Sequence, residues 1–384
     1  MKNRKLVAIP GPTPVVRSIQ DQMARETVAF GDGDFIRDYR QLVVDLQELW
    51  KTKGQAFVLA GTGTLAMEMA IANITKAGDN VLVVSHGFFG DRFIDLCERK
   101  DLNVDVLSSQ WGDIVDPGEI EKKLKEKSYQ LVTVTHVDTS TGVCAPIGDI
   151  GKIVEKFEET LFVVDGVCAS GAEAEYIDEM GIDVLLTGSQ KAFGVAPGIG
   201  VVWAGPRALE KRKSLGRIPE YYIDFDKWSP VMEDPSKYFA TPPVNMIWAM
   251  KEAVRIIKEE GIENRYQRHR RVGRAMQEAL EALGFKILAK KEYRATSLSN
   301  LIYPQGIEDH KFRSILAQEG IIVAGGLGPY AGKMFRLGHM GNIDMHDLVA
   351  LIAGIERALY RSGMEVDLGR GVGVLMENLL AGEK

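Results

Sequence analysis

Cysteine is scarce in this chain: Cys97, Cys144 and Cys168 are the only three, and no two stand at the spacing of a disulfide framework or a zinc cage. That scarcity points to a reducing compartment. Long apolar runs are missing too, since none approaches the roughly 18 to 20 residues that a membrane span needs. Residues 1–12, MKNRKLVAIPGP, meet proline and glycine before a signal-type apolar core can form, so a cytoplasmic location is expected. Blocks of one charge sign are also lacking. The net charge of −6 comes from 47 basic and 53 acidic residues interleaved along the chain, which leaves no footprint for a nucleic acid backbone. The six histidines show no i,i+4 ligand pair with an acid between them, and metal chemistry therefore has no support. No internal repeat or low-complexity segment is present.

What remains is the balance of an ordinary globular protein, 45% hydrophobic and 26% charged over 384 residues, a length that suits a large domain with a smaller one attached. Helical spacing runs from about Val15 to Trp50, interrupted at Gly31 and Gly33. Short apolar runs follow at Ala56–Ala60, Val81–Val84, Val104–Leu107, Leu131–Thr135, Leu161–Val164, Val184–Thr187 and Ile199–Trp203, separated by amphipathic stretches of helix length. Continuous runs of that kind predict strands buried on both faces of a mostly parallel sheet, and hence an α/β core. Prolines at 230, 235, 242 and 243 then break the pattern. A long helical signal over Val244–Leu283 is expected to bridge to a smaller α+β domain, with strand-like Ser297–Ile302, Gly320–Ala324 and Met334–Leu337 and helices near His310–Gln318 and Met345–Tyr360. The expected division is an N-terminal segment over 1–14, a large domain over 15–243, and the bridging helix with the small domain over 244–384. The pattern does not decide whether the tail from Gly369 docks or frays.

Four features carry chemistry. Lys191, in Ser189-Gln190-Lys191, follows a buried strand, where a charged amine is costly unless it is paired or neutralised; the alternative is a lysine that snorkels to solvent. Asp165 ends another apolar run, so in an open α/β sheet it faces the same crevice as Lys191, although a helix N-cap is an equal reading for it alone. Ala60-Gly61-Thr62-Gly63-Thr64-Leu65-Ala66 opens a helix after the first strand and makes a phosphate cradle. It also matches the dinucleotide pattern G-x-G-x-x-A, but the next strand ends Val84-Ser85-His86 without the acid that a ribose would need. Phe88-Phe89 stands at a strand exit, where one ring can lie on a planar cofactor or simply pack in the core.

Eight motifs then stand in one order: Pro10-Gly11-Pro12-Thr13, Gly61-Thr62-Gly63-Thr64, Gly87-Phe88-Phe89-Gly90, His136-Val137-Asp138-Thr139-Ser140-Thr141-Gly142, Asp165-Gly166-Val167, Ser189-Gln190-Lys191, Tyr238-Phe239-Ala240-Thr241-Pro242-Pro243 and Phe335-Arg336-Leu337-Gly338. In order and spacing this set resembles the class V aminotransferases, in particular the alanine–glyoxylate and serine–pyruvate branch, from about Val7 to Tyr360. The resemblance implies the type I fold of pyridoxal-phosphate transferases and a seven-stranded large domain. It also implies pyridoxal 5'-phosphate as cofactor, and a homodimer with shared active sites that moves an amino group from alanine or serine to glyoxylate or pyruvate by a ping-pong route.

Position by position, the resemblance makes Lys191 the Schiff-base lysine and proton carrier and Asp165 the partner of the pyridine nitrogen. Phe89 takes the stacking place that many relatives fill with tryptophan. Gly61, Thr62 and Gly63 fall at the phosphate, Thr139 at the phenolic edge, and Gln190 at the phosphate or ring. Tyr238 and Thr241 reach the cofactor of the neighbouring subunit, Arg336 takes the substrate carboxylate, and Gly11 lets backbone approach the substrate. One departure concerns Ala29-Phe30-Gly31-Asp32-Gly33-Asp34-Phe35, which lacks a histidine that many relatives carry at the pocket entrance. Donors such as aspartate, 2-aminoethylphosphonate or ureidoglycine remain open, as does recognition of a second carboxylate by Arg17, Arg37 or another base. A cysteine desulfurase or lyase is disfavoured because Gln190 precedes Lys191 and no cysteine follows Cys168.

Overall fold

The structure is a computed structural model that describes residues 5–381. The first four residues of the N-terminal segment and the last three of the tail lie outside the described residues. Seven apolar runs form one sheet: β1 (Gln55–Gly61), β2 (Asn80–Ser85), β3 (Asn103–Ser108), β4 (Leu131–Thr135), β5 (Leu161–Asp165), β6 (Val184–Gly188) and β7 (Gly198–Ala204). Their spatial order is β1-β7-β6-β5-β4-β2-β3, and β7 alone runs against its two neighbours. The sheet is thus mostly parallel, as the continuous apolar runs require. The edge strand β3 departs from that pattern. It has one neighbour, and Val106 is 40% exposed there, because Asn103-Val-Asp-Val alternates where the central strands do not.

Helices α1 (Arg17–Met23) and α2 (Gly33–Leu49) precede the sheet, and the Asp32 carboxylate caps α2 by accepting from Asp34 N and Phe35 N, both at 3.0 Å. Helix α3 (Gly63–Ile74) follows β1 directly, and α4 (Phe88–Glu98) follows β2. The single long helix expected over Val244–Leu283 is instead two, Val244–Glu260 and Ile262–Ala282. Gly261 at φ 80° sits between them, a conformation that ends an α-helix.

Two apolar clusters divide at that break. One joins the sheet to α2, α3 and the helix ending at Glu260; the other gathers the helix from Ile262, the C-terminal sheet and the helix Met345–Arg361. Each fully buried Leu, Val, Ile or Phe in them contributes on the order of 1.5–3 kcal/mol.

The expected strand over Gly320–Ala324 is split. Ile321–Ile322 pairs in parallel with Leu6–Val7, and Ala324–Gly325 pairs with the strand Met334–Gly338. The N-terminal segment is therefore stitched to the C-terminal sheet before it crosses to the large one. The tail docks as a helix over Arg370–Leu380 with Leu375 and Leu379 buried, and the Glu356 carboxylate accepts from Gly369 N at 2.9 Å and Gly371 N at 2.7 Å at its start. No helix among the described residues is long and apolar enough to cross a membrane.

Candidate active site

The carboxyl ends of the parallel strands meet in one cavity, the place where open α/β sheets bind ligands. Thr62, Gly63 and Thr64 reach it from the β1–α3 junction, Phe89 and Arg92 from α4, Thr139 from beyond β4, Asp165 from the end of β5, and Gln190 and Lys191 from beyond β6. Seven of the expected residues thus share one wall: Thr62, Gly63, Phe89, Thr139, Asp165, Gln190 and Lys191. Gly61 lies just behind them as the last residue of β1, paired with Gly198.

Lys191 is held from several sides. Its carbonyl accepts from Thr13 Oγ1 at 2.7 Å and from Gly194 N at 2.9 Å, while Thr13 N donates to the Gln190 carbonyl at 3.1 Å. Its Nζ donates to the Pro10 carbonyl. Burial pushes the amine below its usual value, and the nearby Arg336 adds to the effect. Gly11 makes this approach possible. At φ 106° it takes a conformation that side chains avoid, and a Cβ there would lie 2.3 Å from Lys191 Cδ.

Asp165 is buried, with Oδ1 accepting from Val167 N at 2.8 Å. Burial raises its carboxyl to about 6, and that amide together with the Arg92 charge pulls the other way. A second acid, Asp138, is wholly buried at the start of α4. One oxygen accepts from Phe89 N and Gly90 N, both at 3.0 Å; the other accepts from Ser140 N at 2.8 Å and Ser140 Oγ at 2.6 Å. The flanking ring of Phe89 and the loop carrying Thr139 are therefore tied to one carboxylate.

Arg336 comes from the smaller sheet, opposite Asn300, and its Nε donates to the Gly325 carbonyl at 2.8 Å. Its charge lowers the Lys191 amine, so the two lie near each other, but Arg336 is not among the residues that line the cavity. Tyr238 and Thr241 are not brought to this cavity. Tyr238 is 57% exposed, its ring lies 4.7 Å from that of Phe30, and its hydroxyl is 3.2 Å from Thr241 Oγ1. Sequence reasoning passed over Arg92, Asp138 and Cys168. Arg92 was findable as the residue three beyond Phe89 on the same helix face, and Cys168, whose thiol burial pushes up to about 11, as the residue three beyond Asp165.

A family model described as aminotransferase class-V matches residues 24–340. The chain is a class V aminotransferase. An uncharacterized aminotransferase of Methanocaldococcus jannaschii is 36% identical over 98% of both chains, and the serine–glyoxylate aminotransferase of Methylorubrum extorquens is 31% identical over 98% of both. The solved structure of ureidoglycine–glyoxylate aminotransferase from Bacillus subtilis superposes with a TM-score of 0.93 at 28% identity, covering 98% of each chain. Class V aminotransferases depend on pyridoxal phosphate.

The cavity of this aminotransferase fits such a group. The first-turn amides of α3 face it, Thr62 makes no side-chain cap that would compete for them, and Gln190 Oε1 is buried with no partner. Gly63 keeps the cradle open, since a Cβ there would meet Val167 Cγ2 at 2.6 Å.

Proposed function

We propose that this aminotransferase moves the amino group of serine or alanine onto glyoxylate or pyruvate, working as a cytoplasmic homodimer with pyridoxal 5'-phosphate on Lys191. The observation that carries the reading is the wall shared by Lys191, Asp165 and the open start of α3. Thr62, Gly63 and Gln190 would hold the phosphate, Phe89 would cover the ring, Thr139 would meet its phenolic edge, and Asp165 would pair with its ring nitrogen. The bound cofactor supplies an electron sink and a carrier for the amino group.

The chain's own residues supply the rest. Burial favours the neutral form of the Lys191 amine, the form in which Nζ can bond to a carbonyl carbon and take the proton from the α-carbon of the donor. Arg336 accommodates the donor carboxylate with a guanidinium that spends only Nε on Gly325, and this fixes which α-bond faces Lys191. Tyr238 and Thr241, outside their own cavity with Tyr238 exposed, support a site completed by a second subunit. Serine as donor and glyoxylate as acceptor follow the Methylorubrum relative, and the Bacillus structure makes ureidoglycine the second donor to test.

The test is to add pyridoxal phosphate to the purified protein, follow the visible absorbance, and then supply each donor with glyoxylate, pyruvate or 2-oxoglutarate. Serine or alanine with glyoxylate should turn over fastest. A protein that takes up no cofactor, or one that prefers ureidoglycine or a dicarboxylic donor, overturns the assignment.

A further inference from the structure

Arg92 is a cation with no ion-pair partner among the described residues. Its Nη1 donates to Thr64 Oγ1 at 2.9 Å, and its guanidinium lies 5.0 Å from the centre of the Phe89 ring. Thr64 is the second residue of α3, so these contacts hold the guanidinium at the open end of that helix, in the same wall as the unpartnered Gln190 Oε1. A fixed cation beside amides that lack acceptors is an arrangement that an anion completes.

We infer that Arg92 binds the phosphate group of the cofactor directly, supplying a full positive charge beside the open start of α3. The inference rests on the pyridoxal-phosphate reading above and adds a residue to it. Physically, the phosphate carries close to two negative charges near neutral pH, and the amides of one helix start offset about half a charge. A planar guanidinium donates to two phosphate oxygens at once. The bond to Thr64 and the stacking on Phe89 restrict its rotamers beforehand, so little side-chain freedom is lost on binding. Arg92 thereby ties the start of α3 to α4, the helix that carries Phe89.

The experiment compares dissociation constants of the cofactor-free protein for pyridoxal phosphate and for pyridoxal, which lacks the phosphate, in wild type, Arg92→Gln and Arg92→Lys. Melting temperature and far-ultraviolet circular dichroism report folding. Arg92→Gln should weaken pyridoxal phosphate by about tenfold or more while leaving pyridoxal within about twofold. Arg92→Lys should restore most of the preference for the phosphorylated ligand. If both ligands weaken by the same factor, or neither weakens, Arg92 plays a structural part only and the inference falls. Should the glutamine variant not fold, Arg92→Ala takes its place, with the same two ligands and the same two outcomes deciding. A wild-type protein that binds neither ligand overturns the underlying reading, and this inference with it.

Discussion

Within β5 the backbone passes from one kind of interior to another in a single residue. Leu161 to Val164 are buried among apolar neighbours, and every ladder position pairs with β4; the next residue, Asp165, is just as buried but ionises only at about 6. The same change occurs past the end of β6, where Val184–Thr187 give way to Gln190 and Lys191, a side chain with an orphaned oxygen and an amine depressed by burial. The strand interiors hold the fold together, and the strand exits hold groups that are uncomfortable until something binds. Buried, displaced charges that gather around one cavity mark a reaction site, because a ligand's gain offsets their desolvation.

That contrast makes opposite predictions for residues a few positions apart. Lys191→Ala should abolish the visible absorbance of bound cofactor and lower turnover by roughly ten-thousandfold or more, with a melting temperature equal to or above wild type, since it removes a buried amine. A mutant retaining colour and turnover would break the contrast at its strongest point. Phe162→Ala, three residues before Asp165, should do the reverse. Loss of a wholly buried ring costs about 3–5 kcal/mol in a denaturant titration, while the folded fraction keeps its cofactor affinity. If Phe162→Ala changed the affinity as much as the stability, interior and exit would be one unit.

The same contrast explains what the sequence revealed. Six strands of the large sheet were legible because burial writes a near-continuous apolar run, the edge strand β3 through its valines despite alternating, and Lys191 and Asp165 were legible because each is a charge at the end of such a run. Gly261 was passed over since apolar spacing continues across it, and only its φ of 80° separates the two helices. The split near Ile321 was hidden because its partner, Leu6–Val7, lies at the other end of the chain and no local pattern encodes that pairing. Asp138 and Arg92 were missed for a related reason. Their meaning lies in the atoms they meet, two amides of α4 for one and a hydroxyl of α3 for the other, and spacing alone does not supply those partners.

Arg336, on the smaller sheet near Lys191, tests whether that sheet belongs with the exits or with the core. Arg336→Gln should lower kcat/KM for the amino donor by roughly a hundred- to a thousandfold, since a charge-assisted, two-pronged contact with the carboxylate disappears, and should leave the cofactor's dissociation constant unchanged. The residue half of that prediction is read by steady-state kinetics, the cofactor half by spectral titration. Equal loss in both would assign Arg336 to holding the cavity together.

The smallest effect is the most telling, because its sign differs from that of an ordinary core mutation. With its carboxyl raised from 3.8 to about 6, Asp165 favours the fold in its protonated form. Its contribution is fully present below the unfolded value and is lost as pH rises through about 6, a swing of about 2–3 kcal/mol at roughly 1.36 kcal/mol per unit. In the cofactor-free protein, Asp165→Asn should remove that swing, so that at pH 7.5 the variant resists urea better than wild type and at pH 4 the two come close together. Asp183, raised to about 6 by burial as well, titrates in both proteins and cancels from the difference. Once cofactor is supplied the order should invert, because asparagine offers no charge to a protonated ring nitrogen. Urea midpoints that move in parallel with pH for both proteins would mean that Asp165 is an ordinary core carboxylate and that the exit of β5 stores no such strain.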